Sequence, residues 1–145
     1  MDYKTGSTYA YEDMEDDPLG AGTHLQLPVY ALTVRNQLGG KCEIQAAYWF
    51  ATARGGFEMK AVALTNILEE RFREVISVIA SNIEAGIFPG NPGSGAEGYN
   101  NCTYCDYRRV CPADPTIIWE RKSQNPELTK YSRLAVVTIG EEETE

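Results

Sequence analysis

The sequence predicts an α/β protein, on three observations. Residues 42 to 53, Cys-Glu-Ile-Gln-Ala-Ala-Tyr-Trp-Phe-Ala-Thr-Ala, are aromatic-rich and bounded by glycines, as a strand would be. A segment of helical periodicity lies on either side of them. Asp2-Tyr3-Lys4-Thr5-Gly6 reads as the end of a further strand running into a turn. The length of 145 residues fits one domain, and the apolar content is ordinary for a chain that builds a core.

Taken in order, the strand end is followed at 7 to 20 by an acid-rich loop that also holds Pro18 and Gly20. A helix is predicted from about Thr23 to Leu38, with Thr23 as N-cap and Leu25, Val29, Leu32 and Leu38 on one face. Pro28 moves its start toward Leu27 or kinks it there, and Gly39-Gly40 ends it. After the strand at 42 to 53, a second helix is predicted over 61 to 86. Its apolar residues are Leu64, Ile67, Leu68, Phe72, Val75, Ile76, Ile79 and Ile83, and Gly86 closes it. Residues 88 to 101 hold four Gly and two Pro and read as a loop. A cysteine cluster follows at 102 to 111, then a short helix over 114 to 122. The sequence shows no internal repeat.

The formal net charge of −8 would be odd for a self-sufficient nucleic-acid binder. The acid is concentrated, however, in Glu12-Asp13-Met14-Glu15-Asp16-Asp17 and in the tail Glu141-Glu142-Glu143-Thr144-Glu145. Both read as solvated loop or tail. The remainder is close to neutral, so charge does not exclude DNA. No stretch is long and apolar enough to span a membrane, and Met1-Asp2-Tyr3-Lys4 has no signal-peptide core. The expected compartment is the cytoplasm, where thiols stay reduced. Four cysteines there point to a metal site more than to disulfides.

Cys102, Cys105 and Cys111 have the spacing C-x2-C-x5-C, followed by Pro112. The first pair resembles a knuckle in which two thiolates reach one metal from a tight turn. Soft thiolates select zinc or an iron–sulfur cluster, and spacing alone does not separate the two. A fourth ligand would be Cys42, His24 or a residue outside the chain.

Metal-dependent phosphodiester cleavage needs carboxylates for a hard divalent cation. A lysine that orients water and offsets developing charge assists it. Strand alternation puts Asp2 and Lys4 on one side, which suits Asp2 as metal ligand and Lys4 as the water-side cation. Gln26 and Tyr30 are four apart, so a helix presents them together. An amide and a phenol there could contact a phosphate or stack on single-stranded DNA. Arg35 and Arg54 are further candidates for phosphate contacts.

Together these motifs resemble the RecB/AddB-type nucleases of the PD-(D/E)XK superfamily and their CRISPR-associated relatives. The match runs through Asp2-Tyr3-Lys4-Thr5-Gly6 and Leu25-Gln26-Leu27-Pro28-Val29-Tyr30-Ala31. It continues through the Gly86-Ile87-Phe88-Pro89 turn and the segment from Cys102 to Cys111-Pro112 of the iron–sulfur members, covering roughly residues 1 to 122.

The resemblance implies a restriction-endonuclease-like α/β core, incomplete at the N-terminus, over 1–101. It implies a Cys-rich iron–sulfur segment over 102–122 and a C-terminal extension with an acidic tail over 123–145. The implied activity is metal-dependent DNA exonuclease chemistry within a repair or recombination helicase–nuclease. Asp2 would be a Mg2+ or Mn2+ ligand, Lys4 the catalytic lysine, and Gln26 with Tyr30 the pair that supports the site and contacts DNA. Cys102, Cys105 and Cys111 would be three ligands of a structural [4Fe–4S] cluster, with zinc as the alternative. The implied partners are single-stranded DNA ends and a helicase subunit or parent chain.

In that family the fourth cluster cysteine, an acidic or His ligand and another metal-binding Asp lie upstream of the Asp-x-Lys strand. The expectation is therefore a C-terminal fragment, weakly active or inactive alone. The competing expectations are an inactive DNA-binding or interaction module and a small zinc-binding protein.

Overall fold

A three-residue strand is stable only as part of a sheet, and Asp2–Lys4 (β1) finds its pairing partners 46 residues downstream. A computed structural model describes residues 1–40, 42–93, 100–103, 105–111 and 114–134. Among the described residues its four α-helices are Gln26–Gln37 (α1), Asn66–Glu84 (α2), Pro115–Ser123 (α3) and Thr129–Leu134 (α4). Its three strands are β1, Gln45–Phe50 (β2) and Met59–Ala63 (β3), with short 3-10 turns between elements. The α/β expectation holds in this form: a mixed sheet in the order β1-β2-β3, with helices. The chain divides into two compact units, one holding Met1–Ser77 with Leu134, the other Val78–Arg133, and the division falls within α2.

In the first unit, β1 pairs parallel to β2 in the register Asp2↔Tyr48, Tyr3↔Trp49 and Lys4↔Phe50. A parallel pair needs a crossover, and α1 lies in it. β2 then pairs antiparallel with β3, from Gln45↔Ala63 to Trp49↔Met59. As the central strand, β2 buries Ala46, Ala47, Tyr48 and Phe50. Tyr3, Trp49 and Met59 form a cross-strand row that stays exposed, and the Tyr3 and Trp49 rings lie 5.6 Å apart.

β3 corrects the sequence reading, which ran the second helix from 61. Lys60-Ala-Val-Ala63 is short and has no helical stripe of its own, and ladder pairing with β2 decides its state. The helix begins where Thr65 caps it, its Oγ1 accepting from the Leu68 amide at 3.1 Å. Leu64 therefore precedes α2, and its amide bonds to Ile44. The buried stripe is narrower than expected: Leu68 and Val75 are buried in the first unit, whereas Ile67, Ile76 and Ile83 are exposed.

α1 starts at Gln26, so Thr23 does not cap it; the Thr23 hydroxyl donates instead to the Gly20 carbonyl at 2.7 Å. Pro28 falls in the first turn, where its missing N–H would have no helical partner anyway. The buried residues are Leu27, Pro28 and Ala31, while Val29 and Leu38 are exposed. Gly39 and Gly40 close the helix as expected. The Gly40 amide reaches the Arg35 carbonyl at 2.9 Å and that of Gly39 reaches Asn36, with Gly39 at φ +70°. This is a Schellman closure, which favours glycine at the left-handed position.

Residues 7 to 20 are not simply a solvated loop. Tyr9–Glu15 forms 3-10 turns that bury Met14, and Leu19 beyond it is 1% exposed. Tyr11 packs edge-on against Tyr48 and Phe50, with ring centroids 4.9 and 5.4 Å apart. Asp17, from the acid block, accepts from the Leu19 and Ala21 amides and so holds the following turn. The acids thus ride on a segment anchored by its apolar residues.

In the second unit, Gly86 and Ile87 close α2 through the Ile83 and Asn82 carbonyls. α3 begins with Asp114 accepting from Ile117 at 3.2 Å and Pro115 in the first turn, as expected. α4 lies in the stretch assigned only to an extension, and Tyr131 on it meets Trp119 of α3 edge-on at 6.0 Å. Parts of the loop expected at 88 to 101, Tyr104 and Pro112 of the cysteine segment, and the acidic tail lie outside the described residues.

Candidate active site at Lys4

β1 carries Asp2 and Lys4 on one face, two residues apart. The register sets them beside Tyr48 and Phe50, on the side where Tyr11 and α1 pack. Gln26 and Tyr30 are one turn apart at the start of α1. The first turn of α1 therefore arrives at the C-terminal end of β1 with its amide toward the lysine.

Lys4 is the centre of the arrangement. Its Nζ donates to Gln26 Oε1 at 3.0 Å. It stands 2.9 Å from Asp2 Oδ2 and lies over the Tyr48 ring, 4.5 Å from the centroid. Gln26 Nε2 in turn donates to the Tyr30 hydroxyl at 2.8 Å. An ammonium only donates, so it fixes the Gln26 amide with its oxygen toward Lys4 and its NH2 toward the phenol. The Tyr30 hydroxyl oxygen accepts from that NH2, which leaves its own proton available to an outside acceptor. Tyr30 is 43% exposed, so such an acceptor has access. The four sequence-predicted residues Asp2, Lys4, Gln26 and Tyr30 thus meet in one connected chain.

The contact with Asp2, first of all, holds the Lys4 ammonium above the usual lysine range; burial works against this and is outweighed. Lys4 is therefore a cation at neutral pH. Asp2 Oδ2 is buried and faces the Lys4 ammonium at 2.9 Å. A carboxylate with one cationic neighbour keeps lone pairs for a hard cation.

The donor set is thin. Among the described residues, no three His, Cys, Asp or Glu side chains gather into a metal site. Mg2+ is often held by one or two carboxylates together with water and substrate phosphate, and Asp2 fits the smallest version of that arrangement.

His24 stacks on Tyr11 with centroids 4.8 Å apart. Burial depresses its imidazole below the ordinary value, opposed by the charge of Asp17, and its Nδ1 is buried without a partner. Arg35 is not free for phosphate, because it pairs with Glu69, which also takes Arg73. Arg54 is exposed in the β2–β3 turn, with no ion pair among the described residues. Cys42 is exposed and precedes β2, which begins three residues later than the sequence suggested.

Within the second unit, the Cys105 amide donates to the Cys102 carbonyl at 3.3 Å, so those two cysteines share one tight turn. Cys111 is exposed and does not join them in a group of three.

Sequence reasoning missed Tyr48 and Tyr11. The signal for Tyr48 was present, since it alternates with Phe50 on one face of a strand that follows the Gln-x-x-x-Tyr helix. Tyr11 was obscured by the acids around it.

No curated protein and no solved structure gives a significant match to this chain. A family model, that of the PD-(D/E)XK nuclease superfamily, matches residues 1–112. That span includes the whole Lys4 site, both strands of the β2–β3 hairpin and the cysteine segment through Pro112. On this match over most of its length, the chain belongs to the PD-(D/E)XK nuclease superfamily.

Proposed function

We propose that this chain is a metal-dependent DNA nuclease domain whose chemistry is centred on Lys4. One observation carries the reading: Asp2, Lys4, Gln26 and Tyr30 form one connected polar chain at the end of β1. Asp2 would hold a Mg2+ or Mn2+ ion, which supplies Lewis-acid stabilisation of the phosphate and a more acidic water.

The remaining work falls to the chain's own side chains. Lys4, kept charged, orients the attacking water and offsets negative charge as it grows on the non-bridging phosphate oxygens. Gln26 fixes the direction of the ammonium through Oε1. Tyr30 fixes Gln26 and offers its hydroxyl proton to a phosphate oxygen or its ring to an unpaired base. In hydrolysis the water oxygen bonds to phosphorus, one ester P–O bond breaks, and the departing oxygen takes a proton. The finer reading is an exonuclease acting on single-stranded ends, in the company of a helicase subunit or parent chain.

Cys102, Cys105 and Cys111 are assigned as three thiolate ligands of a structural [4Fe–4S] cluster, with zinc as the alternative. Their spacing and the Cys102–Cys105 turn support this. A second reading, a DNA-binding or interaction module with little activity, is favoured by the single carboxylate beside Lys4 among the described residues.

Metal dependence separates the two readings. Cleavage of a labelled single strand should require Mg2+ or Mn2+, stop with chelator, and be lost in Asp2→Asn. Binding without cleavage under every metal condition would favour the module.

A further inference from the structure

We propose that Tyr48 is a positioning residue for the Lys4 ammonium, holding it over the aromatic face; this rests on the nuclease reading. A lysine has four flexible carbons and a compact, strongly hydrated charge. Its ammonium stays in one place only when several directions are fixed. Asp2 and Gln26 fix two of them. The Tyr48 ring, 4.5 Å from Nζ, supplies the third.

That ring is itself closely packed. Tyr48 is 2% exposed, lies in the central strand, and is paired across the backbone with Asp2 on one side and Lys60 on the other. Tyr11 packs against its edge at 62°. Burial also raises the Tyr48 phenol above its ordinary range, so at neutral pH the ring is uncharged.

The contact has a chemical advantage over a second acid. A ring face attracts a cation through its quadrupole. It does not neutralise the charge, and the ammonium remains available to a water or a phosphate oxygen. Asp2 is thereby spared as the sole anchor of Lys4 and can serve a metal.

The test replaces Tyr48 in the full chain by Phe, by Leu, and by phenylalanines of increasing ring fluorination, which keep the shape while removing the quadrupole. With Mg2+ or Mn2+ and single-stranded DNA, Phe should retain kcat. Leu should lower it about tenfold with KM little changed, and fluorination should lower it in steps. The Lys4 ε-methylene protons should show an upfield ring-current shift by NMR in wild type and Tyr48→Phe, lost in Tyr48→Leu. A kcat indifferent to fluorination, or Lys4 protons unmoved by Tyr48→Leu, overturns the proposal. Failure of the nuclease reading itself is distinguishable: Lys4→Ala would then cleave like wild type, or no variant would cleave at all, whatever the NMR shift, and the positioning role would fall with it.

Discussion

In the proposed site a single ammonium is the hub, and the residues around it differ in how directly they touch it. Gln26 touches both Lys4 and Tyr30, so Gln26→Ala removes two hydrogen bonds and leaves both partners undirected. It should lower kcat more than Tyr30→Phe, which leaves the Lys4–Gln26 bond in place; parallel steady-state assays would decide. Equal losses would mean that the Tyr30 hydroxyl's contact with substrate outweighs its hold on Gln26. His24 gives a prediction in pH. Its folded value is depressed below 6.5, so the unfolded chain binds the proton first as pH falls. Stability should therefore drop as pH falls from about 6.5 toward the folded value, and should level off below it. Urea midpoints across that range, compared with His24→Phe, measure this, and equal slopes in the two proteins would refute it.

At the scale of elements, close approaches set the site. A methyl on Gly55 would stand 2.5 Å from Phe50 Cβ and 2.8 Å from the Gly6 carbonyl oxygen. The turn after β2 therefore lies directly on the end of β1. Gly55→Ala should cost about 1–3 kcal/mol in urea unfolding, as overpacking does, and a neutral result would mean the turn yields. Glu69, paired with Arg35 of α1 and with Arg73, joins α2 to α1. Arg35 first, then Arg73, lowers its carboxyl below the usual 4.5. The stabilisation is thus present above pH 4.5 and is lost as pH falls through that lowered value. The stability difference between wild type and Glu69→Gln should vanish in acid; a difference that persists there would contradict the pairing.

These elements also show what the sequence can carry. The β2 core, the glycine closures of both long helices and the start of α3 were legible because periodicity and capping chemistry are local. β3 was not, because its five residues have no pattern of their own and take their state from the ladder with β2. The face of α1 was misjudged because Leu27, Pro28 and Ala31 are its buried residues, while Val29 and Leu38 are exposed. The Lys4 site was legible as four residues, since alternation and a four-residue step put each pair together. Tyr48 was legible only as a strand residue alternating with Phe50, because its contact with Lys4 depends on a parallel register that no local pattern states.

At the scale of the molecule, membership of a nuclease superfamily and a connected polar chain at Lys4 point the same way. The cysteine segment is a separate question with a separate measurement. Protein purified without oxygen should carry broad visible absorption and iron, both lost in Cys102→Ser with Cys105→Ser. A colourless protein with stoichiometric zinc would replace the cluster by zinc. Among the described residues no helix is long and apolar enough to cross a membrane. The most direct test of the central claim is the cleavage rate of single-stranded DNA with Mg2+ by wild type and by Lys4→Ala at equal folded concentration. The account predicts measurable cleavage by the wild type, even if slow, and its loss on removing the ammonium. Cleavage by Lys4→Ala at the wild-type rate would contradict it.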